Sequence, residues 1–418
     1  MERFHHPEQL YSLYNLPVGR NVHLTEWLMS LARPGAARGA DAVTLAAALV
    51  AELDFPQRSA PAIHIVGTAG KGTVAVLLTD RLVAAGLSVA THQSPHVVNV
   101  RERFLLNGQL PEEAVTGAAR EEVSAAIERV VSGYGVPPTF FAVTAAMSWV
   151  IGRNAMVDVF VTEAGIGGRT DATSVLDRPD TLTVITNIGL DHTDVLGDTV
   201  EAIAESKSGV LRGRQSAVLG PQSSDSAAAV VRSIARNGGI HLTEVASGAN
   251  WLADAIATVE AVADLAAVML DRPLPSVVPR LPPGRMEVVE HGGRRWVLDG
   301  AHNPMKLAAL KRGMSGSVES VVAAIGAGKD LKGCAAALAR FDVPVITSTF
   351  DTGVGPRSWS AAELAKAVQA EGGSASSTGS VDEAVHAAFA VTAAGATIVV
   401  TGSFLVLSTA REAIAGVG

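Results

Sequence analysis

A glycine-rich loop that carries a lysine and a threonine is the strongest chemical signal in the sequence. Gly67-Thr68-Ala69-Gly70-Lys71-Gly72-Thr73 stands between a β-rich run, AIHIV, and an apolar helical segment, VAVLLTDRLVAAG. In a strand–loop–helix arrangement the loop N–H groups and the helix N-terminus favour phosphate oxygens, a lysine neutralises them, and a threonine hydroxyl can ligate magnesium. Ile65 stands where the first glycine of the usual G-x-x-x-x-G-K-[ST] spacing would be. The order nevertheless predicts a nucleotide phosphate site, with ATP as the leading ligand, rather than an ordinary glycine-rich turn.

Acidic residues and a histidine follow two other β-rich runs. Glu163 ends the run VDVFVTE, and Asp191 and His192 come shortly after the run TLTVITN. The carboxyl ends of parallel strands meet at one edge of a sheet, where the ligands of such sheets usually bind. Each cluster alone could be a polar loop with capping residues. Because the three clusters lie at neighbouring strand ends, we predict that Thr73, Glu163 and His192 bind magnesium against the terminal phosphates.

Two α/β units must position these residues. Nearly continuous apolar runs alternate with Ala-rich helical segments, which is typical of parallel sheets with helices on both faces. The predicted strands are AIHIVG, SVATHQS, VDVFVTEAG, TLTVITNIG and SAVLG in the first part, and RRWVLDG, SVVAAIGAG, VPVITSTF and ATIVVTGS in the second. The proline-rich segment 271–283 between them suits neither a helix nor a central strand. We therefore predict a first domain of residues 1–280 and a smaller α/β domain of residues 281–418.

Composition limits the class of protein. The 418 residues are too many for one ordinary core, and 48% of them are hydrophobic against 18% charged, which is typical of compact domains. A formal net charge of −8 argues against nucleic acid as a partner, since binding its phosphate backbone requires an excess of lysine and arginine. The single cysteine, Cys334, excludes an internal disulfide framework and fits a reducing compartment, where we expect it to fill the core.

Two segments bear on the location of the protein. The N-terminal stretch MERFHHPEQLYSLYNL carries charges and lacks the apolar run of a secretory signal. Residues 387–410 contain no charged side chain and are long enough to raise the question of a membrane span. Gly395 divides this stretch into an Ala-rich helical part and the β-branched run ATIVV, a pattern that favours a helix, a turn and a buried strand. We expect a cytoplasmic monomer that binds no membrane.

Several motifs taken together resemble one family. Between Ala62 and Phe404 the chain contains, in order, GTAGKGT, SPHVVNVRERF, TFF, EAGIGGRTDAT, ITNIGLDHTDVLGDTVEAIAESKSGVL, PGRME, LDGAHNP, GPR and TGSF. This series resembles the folylpolyglutamate and dihydrofolate synthases of the Mur ligase superfamily. The resemblance implies a P-loop ATPase domain of the Mur ligase type with a parallel sheet, then a smaller Rossmann-like domain that binds glutamate. It also implies that ATP converts a carboxylate into an acyl phosphate, which the amine of L-glutamate attacks to form an amide.

The resemblance assigns the phosphate and metal roles. The phosphates would be held by Lys71 together with Gly67, Thr68, Gly70, Gly72 and Thr73. Thr73, Glu163 and His192 would ligate magnesium. Lys207, which from composition alone would be a surface lysine, matches a lysine that many family members carbamylate, and it would then ligate a second magnesium ion. Lys71, Lys207 and His302 are the catalytic residues that the resemblance implies.

Further residues are assigned to the nucleotide. Arg285 would contact an ATP phosphate, Asp299 the ribose, and His302 the phosphate or the reacting centre. Near the adenine, the Asn-Ala-x-x-Ala pattern of the family is best matched by Asp254-Ala255, and the preceding segment HLTEVASGAN is shorter than in the family. This shortening predicts that a few edge strands of the ATPase domain are missing.

The acid substrate is the open question at this stage. Phe141 would stack on a pterin, Asp171 would hydrogen-bond to it, and Arg103 would line the same site. Ala142, however, stands where the family has a glutamate. The sequence thus leaves three hypotheses: a ligase for dihydropteroate or reduced folate, the same chemistry on another small carboxylic acid, and a nucleotide-binding protein without ligase activity. A dehydrogenase is excluded because the loop has Lys-Gly-Thr in place of G-x-G-x-x-G.

Overall fold

The computed structural model describes residues 22–31, 40–350 and 357–418. The charged N-terminal stretch and residues Gly355 and Pro356 of the GPR motif, on which the sequence analysis drew, lie outside these residues. Within them the chain forms two sheets flanked by helices. The prediction of an α/β protein, with a nucleotide-type domain followed by a domain with a smaller sheet, is confirmed.

The first sheet has seven strands in the order β3-β2-β4-β1-β5-β6-β7. Its strands are β1 (Ala62–Val66), β2 (Val89–His92), β3 (Phe104–Leu106), β4 (Val159–Glu163), β5 (Leu182–Ile185), β6 (Ser216–Leu219) and β7 (His241–Glu244). The helices of this part are α1 (Val22–Ser30), α2 (Ala40–Glu52), α3 (Lys71–Ala84), α4 (Glu113–Tyr134), α5 (Phe140–Asn154), α6 (Thr193–Leu196), α7 (Val200–Ser208), α8 (Asp225–Asn237) and α9 (Trp251–Met269). Neighbouring strands are parallel except for β2 and β3.

The second sheet has six strands in the order β12-β11-β10-β13-β9-β8. Its strands are β8 (Glu287–His291), β9 (Arg294–Asp299), β10 (Val318–Ala323), β11 (Val345–Thr347), β12 (Ala375–Ser377) and β13 (Thr397–Thr401). The helices are α10 (Pro304–Gly313), α11 (Leu331–Ala339), α12 (Ala361–Ala370), α13 (Val381–Val391) and α14 (Phe404–Gly416). Only the β8–β9 pair is antiparallel among the strand pairs of this sheet in the described chain.

Burial explains the order of the central strands. Every residue of β1, β4 and β5 is buried, as expected of strands covered by helices on both faces. On one face, Ile63 and Ile65 of β1 pack with Val74 and Leu78 of α3. β1 lies between β4 and β5, so the loops that follow these three strands come together at the carboxyl edge of the sheet.

The linker and the uncharged stretch both lie where the sequence analysis expected them. Residues 271–283 connect α9 to β8 and contain neither helix nor strand, while the exact boundary at residues 280 and 281 stays a prediction. Residues 387–410 form the end of α13, strand β13 and the start of α14, which belong to the core of the second sheet. No helix within the described ranges is long and apolar enough to cross a membrane.

The two domains meet beside a long cleft of about 420 Å³. Val97, in the loop after β2, packs into the core of the second domain with Phe404 and Leu407. Gly284 lies at this junction with φ +67°, and a Cβ there would come within 2.7 Å of Leu407 Cδ1 and 3.2 Å of Val97 Cγ2. The close approach requires glycine, and it brings β9 and the start of α10 up to the phosphate loop.

Candidate active site

The glycine loop between β1 and α3 is held open by its backbone conformation. Gly67 has φ +148° and Gly70 has φ +92°. A Cβ at Gly67 would lie 1.9 Å from Thr186 Oγ1, so a larger residue cannot fit without movement. The N–H groups of Thr68 and Ala69 donate to the carbonyl oxygen of Asn187 at 2.9 and 3.1 Å. The loop is thereby fixed to the segment after β5, and α3 begins directly behind it at Lys71.

Two lysines from different helices converge on this loop. The Nζ atoms of Lys71 and Lys207 donate to the same acceptor, the carbonyl oxygen of Gly67, at 3.1 and 2.9 Å. Lys207 lies near the end of α7 and is buried, although composition alone would place it on the surface. Burial, together with the charge of Lys71, lowers the pKa of Lys207 to about 7. Its amine is therefore partly neutral near pH 7.

Glu163 closes the floor of the cleft at the end of β4. Its Oε2 accepts a hydrogen bond from the backbone N–H of Ser94 at 3.0 Å, and its Oε1 lies 3.9 Å from Lys71 Nζ. Burial raises the pKa of Glu163, an effect that Lys71 partly opposes. A Cβ at Gly72 would come within 3.3 Å of Glu163 Oε2. The carboxylate thus lies against the first turn of α3.

The predicted magnesium ligands have the chemistry of a divalent metal site. Thr73, Glu163 and His192 all line the cleft. Burial lowers the pKa of His192 to about 4, so its imidazole is neutral near pH 7 and can act as a ligand. Across the described ranges no group of three or more His, Cys, Asp or Glu side chains could hold a metal by itself. An ion here would need phosphate or water oxygens to complete its shell, which suits magnesium.

Asp191 joins the two domains. Its Oδ1 accepts from Lys329 Nζ at 2.6 Å, and its Oδ2 accepts from Asn303 Nδ2 at 2.9 Å and from Lys306 Nζ at 3.4 Å. Burial acts to raise the pKa of Asp191, but Lys306, His192 and Lys329 together hold it well below its ordinary value. A carboxylate of the first domain is thus the counter-ion for two lysines of the second.

The residues predicted to contact the nucleotide from the second domain also reach the cleft. Arg285, Asp299 and His302 line it together with Phe404, whose ring lies 4.0 Å from the Arg285 guanidinium carbon. Asp299 accepts hydrogen bonds from the backbone N–H groups of Met286 at 2.9 Å and Ala301 at 2.8 Å. Burial raises the pKa of Asp299 and lowers those of Arg285 and His302.

The cleft is also lined by residues at the start of α9. Trp251 and Thr258 were not assigned to the site by the sequence analysis, and Asp254 was expected near the adenine. Asn250 caps α9 by accepting from the N–H groups of Leu252 and Ala253, both at 3.0 Å. Asp254 Oδ1 accepts from the N–H of Gly248 at 2.7 Å. An aromatic ring that lines a cleft with a phosphate loop is the expected neighbour of a nucleotide base.

Three residues predicted to bind the pterin lie beside the cleft and do not line it. Arg103 donates from Nε to His96 Nδ1 at 2.9 Å, and burial lowers the pKa of Arg103 to about 10. The ring of Phe141 contacts His92 edge-on at 5.2 Å. Asp171 accepts from the N–H of Ile166 at 2.8 Å and caps a short 3₁₀ turn. Its carboxylate therefore orders its own loop, and a contact with substrate stays a prediction.

Ala142 stands where the family has a glutamate, which raised the question of another acid substrate in the sequence analysis. Its side chain is buried and packs against Ala46 and Ala172, with Phe141 beside the cluster. A residue that faces other core alanines does not contribute to an open substrate site. Ala142 therefore belongs to the core and does not line the cleft.

Comparison with known proteins agrees with this geometry. Residues 284–404 match the family model described as Mur ligase, glutamate ligase domain. The chain is 31% identical over 407 residues to the dihydrofolate synthase/folylpolyglutamate synthase of Escherichia coli, covering 90% of this chain and 91% of that protein. It is 38% identical over 207 residues to a probable bifunctional folylpolyglutamate synthase/dihydropteroate synthase of Halobacterium salinarum, covering 49% of this chain and only 24% of that protein.

Two solved structures have the same overall fold. One is E. coli FolC in complex with DHPP and ADP, with a TM-score of 0.78 and 26% identity over 94% of this chain and 98% of that chain. The other is a bifunctional folylpolyglutamate synthase/dihydrofolate synthase with Mn, AMPPNP and L-glutamate bound, with a TM-score of 0.77 and 27% identity over the same shares of 94% and 98%. Both structures hold a nucleotide, and the second also holds a divalent metal.

Proposed function

The chain belongs to the dihydrofolate synthase/folylpolyglutamate synthase family, and we propose that it is an ATP-dependent ligase that joins L-glutamate to a pterin or folate carboxylate and releases ADP. The single observation that carries this proposal is the cleft itself. It combines a phosphate loop from the first domain with His302 and Arg285 from the second, and it is also lined by the buried Lys207 of the first domain and the partly exposed Lys306 of the second. Such an arrangement suits chemistry between a polyphosphate and a second substrate.

The reaction divides into two displacements. The substrate carboxylate attacks the γ-phosphorus of ATP, the bond to the β-phosphate oxygen breaks, and an acyl phosphate forms with ADP. The glutamate amine then attacks the acyl carbon, the amide bond forms, and phosphate leaves. Lys71 and Arg285 line the cleft, and their proposed contribution is to position the phosphates and to stabilise the negative charge that develops on them. His302 is held neutral by its surroundings and can accept a proton from the amine.

We propose magnesium as the metal and Lys207 as a second metal ligand. Thr73, Glu163 and His192 would hold the first ion, which would neutralise the terminal phosphates when bound. A lysine must be uncharged to react with carbon dioxide, and the lowered pKa of Lys207 supports carbamylation at that position. The carbamate would replace a cation by an anionic oxygen ligand. The hydrogen bond from Lys207 to the Gly67 carbonyl oxygen places it beside the phosphate loop.

The remaining expectations concern substrate contacts and assembly. We propose that Arg103, Phe141 and Asp171 form the acid site, because they surround the loop after β4 next to Glu163; Phe141 lies so close to Gly165 that a Cβ there would meet its ring at 2.8 Å. We also propose that the protein acts as a monomer, since the predicted metal ligands and the predicted substrate contacts all come from a single chain. We propose a cytoplasmic location as well.

ADP release tests the proposal. Purified protein is given ATP, magnesium and L-glutamate with dihydropteroate, with a reduced folate, or with no acid. ADP release that requires a pterin acid, with a product one glutamate heavier, is the expected result. Lys71→Ala should lower turnover at least about a hundredfold, whereas Lys366→Ala, which removes an exposed lysine of α12, should not change it. If neither dihydropteroate nor the reduced folate stimulates ADP release although ATP still binds, the pterin assignment is refuted.

A further inference from the structure

Lys306 lines the cleft with a side chain that is 21% exposed, and the reaction described above gives it no role. Its Nζ lies 3.0 Å from His302 Nε2 and 3.4 Å from Asp191 Oδ2. On the other side of the ring, His302 Nδ1 lies 2.7 Å from the carbonyl oxygen of Gly300. Because a carbonyl oxygen can only accept, Nδ1 must carry the ring proton. Nε2 is then the acceptor, and Lys306 is its donor.

These contacts fix both the orientation and the tautomer of His302. A ring held by hydrogen bonds at both nitrogens cannot rotate without losing one of them. The Nδ1–H tautomer presents the Nε2 lone pair to the cleft, which His302 and Lys306 both line. The edge of the ring also meets Phe404 at 6.3 Å between centroids, which limits its motion on the remaining side. Lys306 thus provides the second of the two hydrogen bonds that fix the imidazole ring.

The position of Lys306 is unfavourable for a lysine unless it has such a function. It lies in the first turn of α10, where the helix dipole disfavours a cation. Burial lowers the pKa of Lys306 to about 8, an effect that Asp191 partly offsets. The helix does not need this side chain for packing, because Leu307 and Leu310 provide its buried contacts. Strongly perturbed groups in a cleft are typical of functional sites.

The charged and titratable groups that face His302 come from every element around it. They are Lys306 of α10, Lys329 of the loop after β10, Asp191 of the loop after β5, and the thiol of Cys334 in α11, whose Sγ lies 3.8 Å from the His302 carbonyl oxygen. Burial comes first in lowering the pKa of His302, and Lys306 and Lys329 add to it, whereas Asp191 opposes them. Lys306 is the nearest of these charges to Nε2.

We propose that Lys306 is a positioning residue for amide formation, which holds His302 as the neutral Nδ1–H tautomer with Nε2 ready to accept a proton from the incoming amine. This inference rests on the proposed ligase function. The substrate ammonium takes the place of Lys306 Nζ at Nε2 and gives up one proton to it. The resulting amine forms the C–N bond with the acyl carbon, the C–O bond to phosphate breaks, and the second amine proton leaves with the phosphate. His302 then releases its proton to solvent.

The first test observes His302 without any turnover. The ring nitrogens of ¹⁵N-histidine-labelled protein are followed by NMR from pH 5 to pH 9, and the His302 signals are assigned by their absence in His302→Gln. In the wild type, Nε2 should stay unprotonated over this whole range. In Lys306→Met, the titration midpoint should rise toward the ordinary value of about 6.5. Lys306→Arg, which keeps the charge, should restore the wild-type behaviour, and Lys311→Met, which removes an exposed lysine of the same helix, should not alter it.

The second test is the pH dependence of amide formation. Burial and Lys329 still lower the pKa of His302 in Lys306→Met, so a midpoint of about 6.5 is the upper limit. At that limit only about a quarter of His302 would be neutral at pH 6, against nearly all at pH 8. At saturating ATP, the kcat of Lys306→Met should therefore fall more than that of the wild type between pH 8 and pH 6, by up to about fourfold. Lys306→Gln, which keeps a donor without a charge, serves if the methionine variant is poorly folded.

The two tests separate failure of this inference from failure of the proposed function. If the His302 titration is the same in the wild type and in the Lys306 variants, Lys306 does not set the state of His302 and the inference is wrong, whatever the activity. If the NMR result is as expected but kcat shows no added loss at pH 6, His302 is not the proton acceptor and the inference also fails. If the wild type makes no amide from a pterin acid while the NMR shift is present, the proposed function fails instead.

Discussion

The contact between Asp191 and two lysines offers a quantitative test of how the domains are held together. The Asp191 side chain is 6% exposed, and those of Lys306 and Lys329 are 21% and 20% exposed. Asp191→Asn keeps the shape of the side chain and one acceptor oxygen but removes the negative charge. Both lysines then lose the carboxylate to which their ammonium groups donate hydrogen bonds.

The expected loss of stability follows from the cost of an unpaired buried charge. Removing one partner of a buried ion pair typically costs about 3–5 kcal/mol. Each lysine retains about a fifth of its exposure, so solvent screens part of this cost. We expect Asp191→Asn to lower the free energy of unfolding by about 2–3 kcal/mol at pH 7.

Urea unfolding followed by tryptophan fluorescence measures this change. The matched control is Asp177→Asn, because the Asp177–Arg58 pair has side chains that are 50% and 45% exposed. An exposed pair is worth less than about 1 kcal/mol. If the two variants lose the same free energy of unfolding, Asp191 does not act as a buried counter-ion and the reasoning is refuted.

The same variant has a predicted pH dependence. The positive neighbours of Asp191 overcome the effect of burial and hold its pKa below the ordinary value. A depressed pKa in the folded state contributes stability that is present above the unfolded pKa of about 3.9 and is lost as the pH falls further toward the folded pKa. The wild type should therefore lose more stability than Asp191→Asn between pH 5 and pH 2. Equal acid sensitivity of the two proteins would contradict the assigned direction.

Two further predictions concern the phosphate loop. Gly67→Ala should abolish measurable nucleotide binding in calorimetry, because its Cβ would lie 1.9 Å from Thr186 Oγ1 at a φ of +148°; Gly117→Ala, which meets no atom within 4 Å in α4, should bind nucleotide normally. Protein treated with ¹³C-bicarbonate should show a carbamate carbon signal that disappears in Lys207→Gln but remains in Lys366→Gln, and Lys207→Gln should lower metal affinity at least about tenfold; a signal that survives in Lys207→Gln would place the carbamate elsewhere.

The strands show how far the sequence predicts the fold. The nine strands that were predicted are the central strands of the two sheets, namely β1, β2, β4, β5, β6, β9, β10, β11 and β13. The four that were not predicted, β3, β7, β8 and β12, are the four edges of these sheets. Edge strands are short, or half exposed as in β7 and β8, and so lack the continuous apolar run that identifies a buried strand.

The antiparallel pairing of β3 and β8 has the same origin. Only Gly292 and Gly293 separate β8 from β9, and so short a connection favours an antiparallel pair. β2 and β3 are joined by residues 93–103, which contain a 3₁₀ turn and no α-helix that could cross over the sheet. The continuous apolar runs of the sequence identify the interior strands, because helices cover both of their faces. They do not identify edge strands, whose outer side faces solvent.

The position of the glycine loop could be predicted because one segment contains both the glycine pattern and the strand and helix on either side of it. The loop around Lys71 follows a recognisable strand and precedes a recognisable helix, and the structure places Lys71 accordingly. Lys306 and Lys329 could not be found in this way, because they meet Asp191 only after the two domains fold together. The spacing of four residues between His302 and Lys306 gives no helix-face signal either, because α10 begins only at Pro304.

The balance of charges in the cleft explains how a protein of net charge −8 can be expected to bind a polyphosphate. Positive side chains from both domains converge there. When no substrate anion is near, two of them, Lys306 and Lys329, donate hydrogen bonds to the carboxylate of Asp191. An ATP phosphate or an acyl phosphate would compete with Asp191 for Lys306, since each offers charged oxygens to the same ammonium group. The ion pairs that join the domains in the empty cleft are therefore also available to the anions of the proposed reaction. The same lysines would therefore serve domain contact and substrate binding. For this reason, substitution of Asp191 should affect both the free energy of unfolding and the turnover.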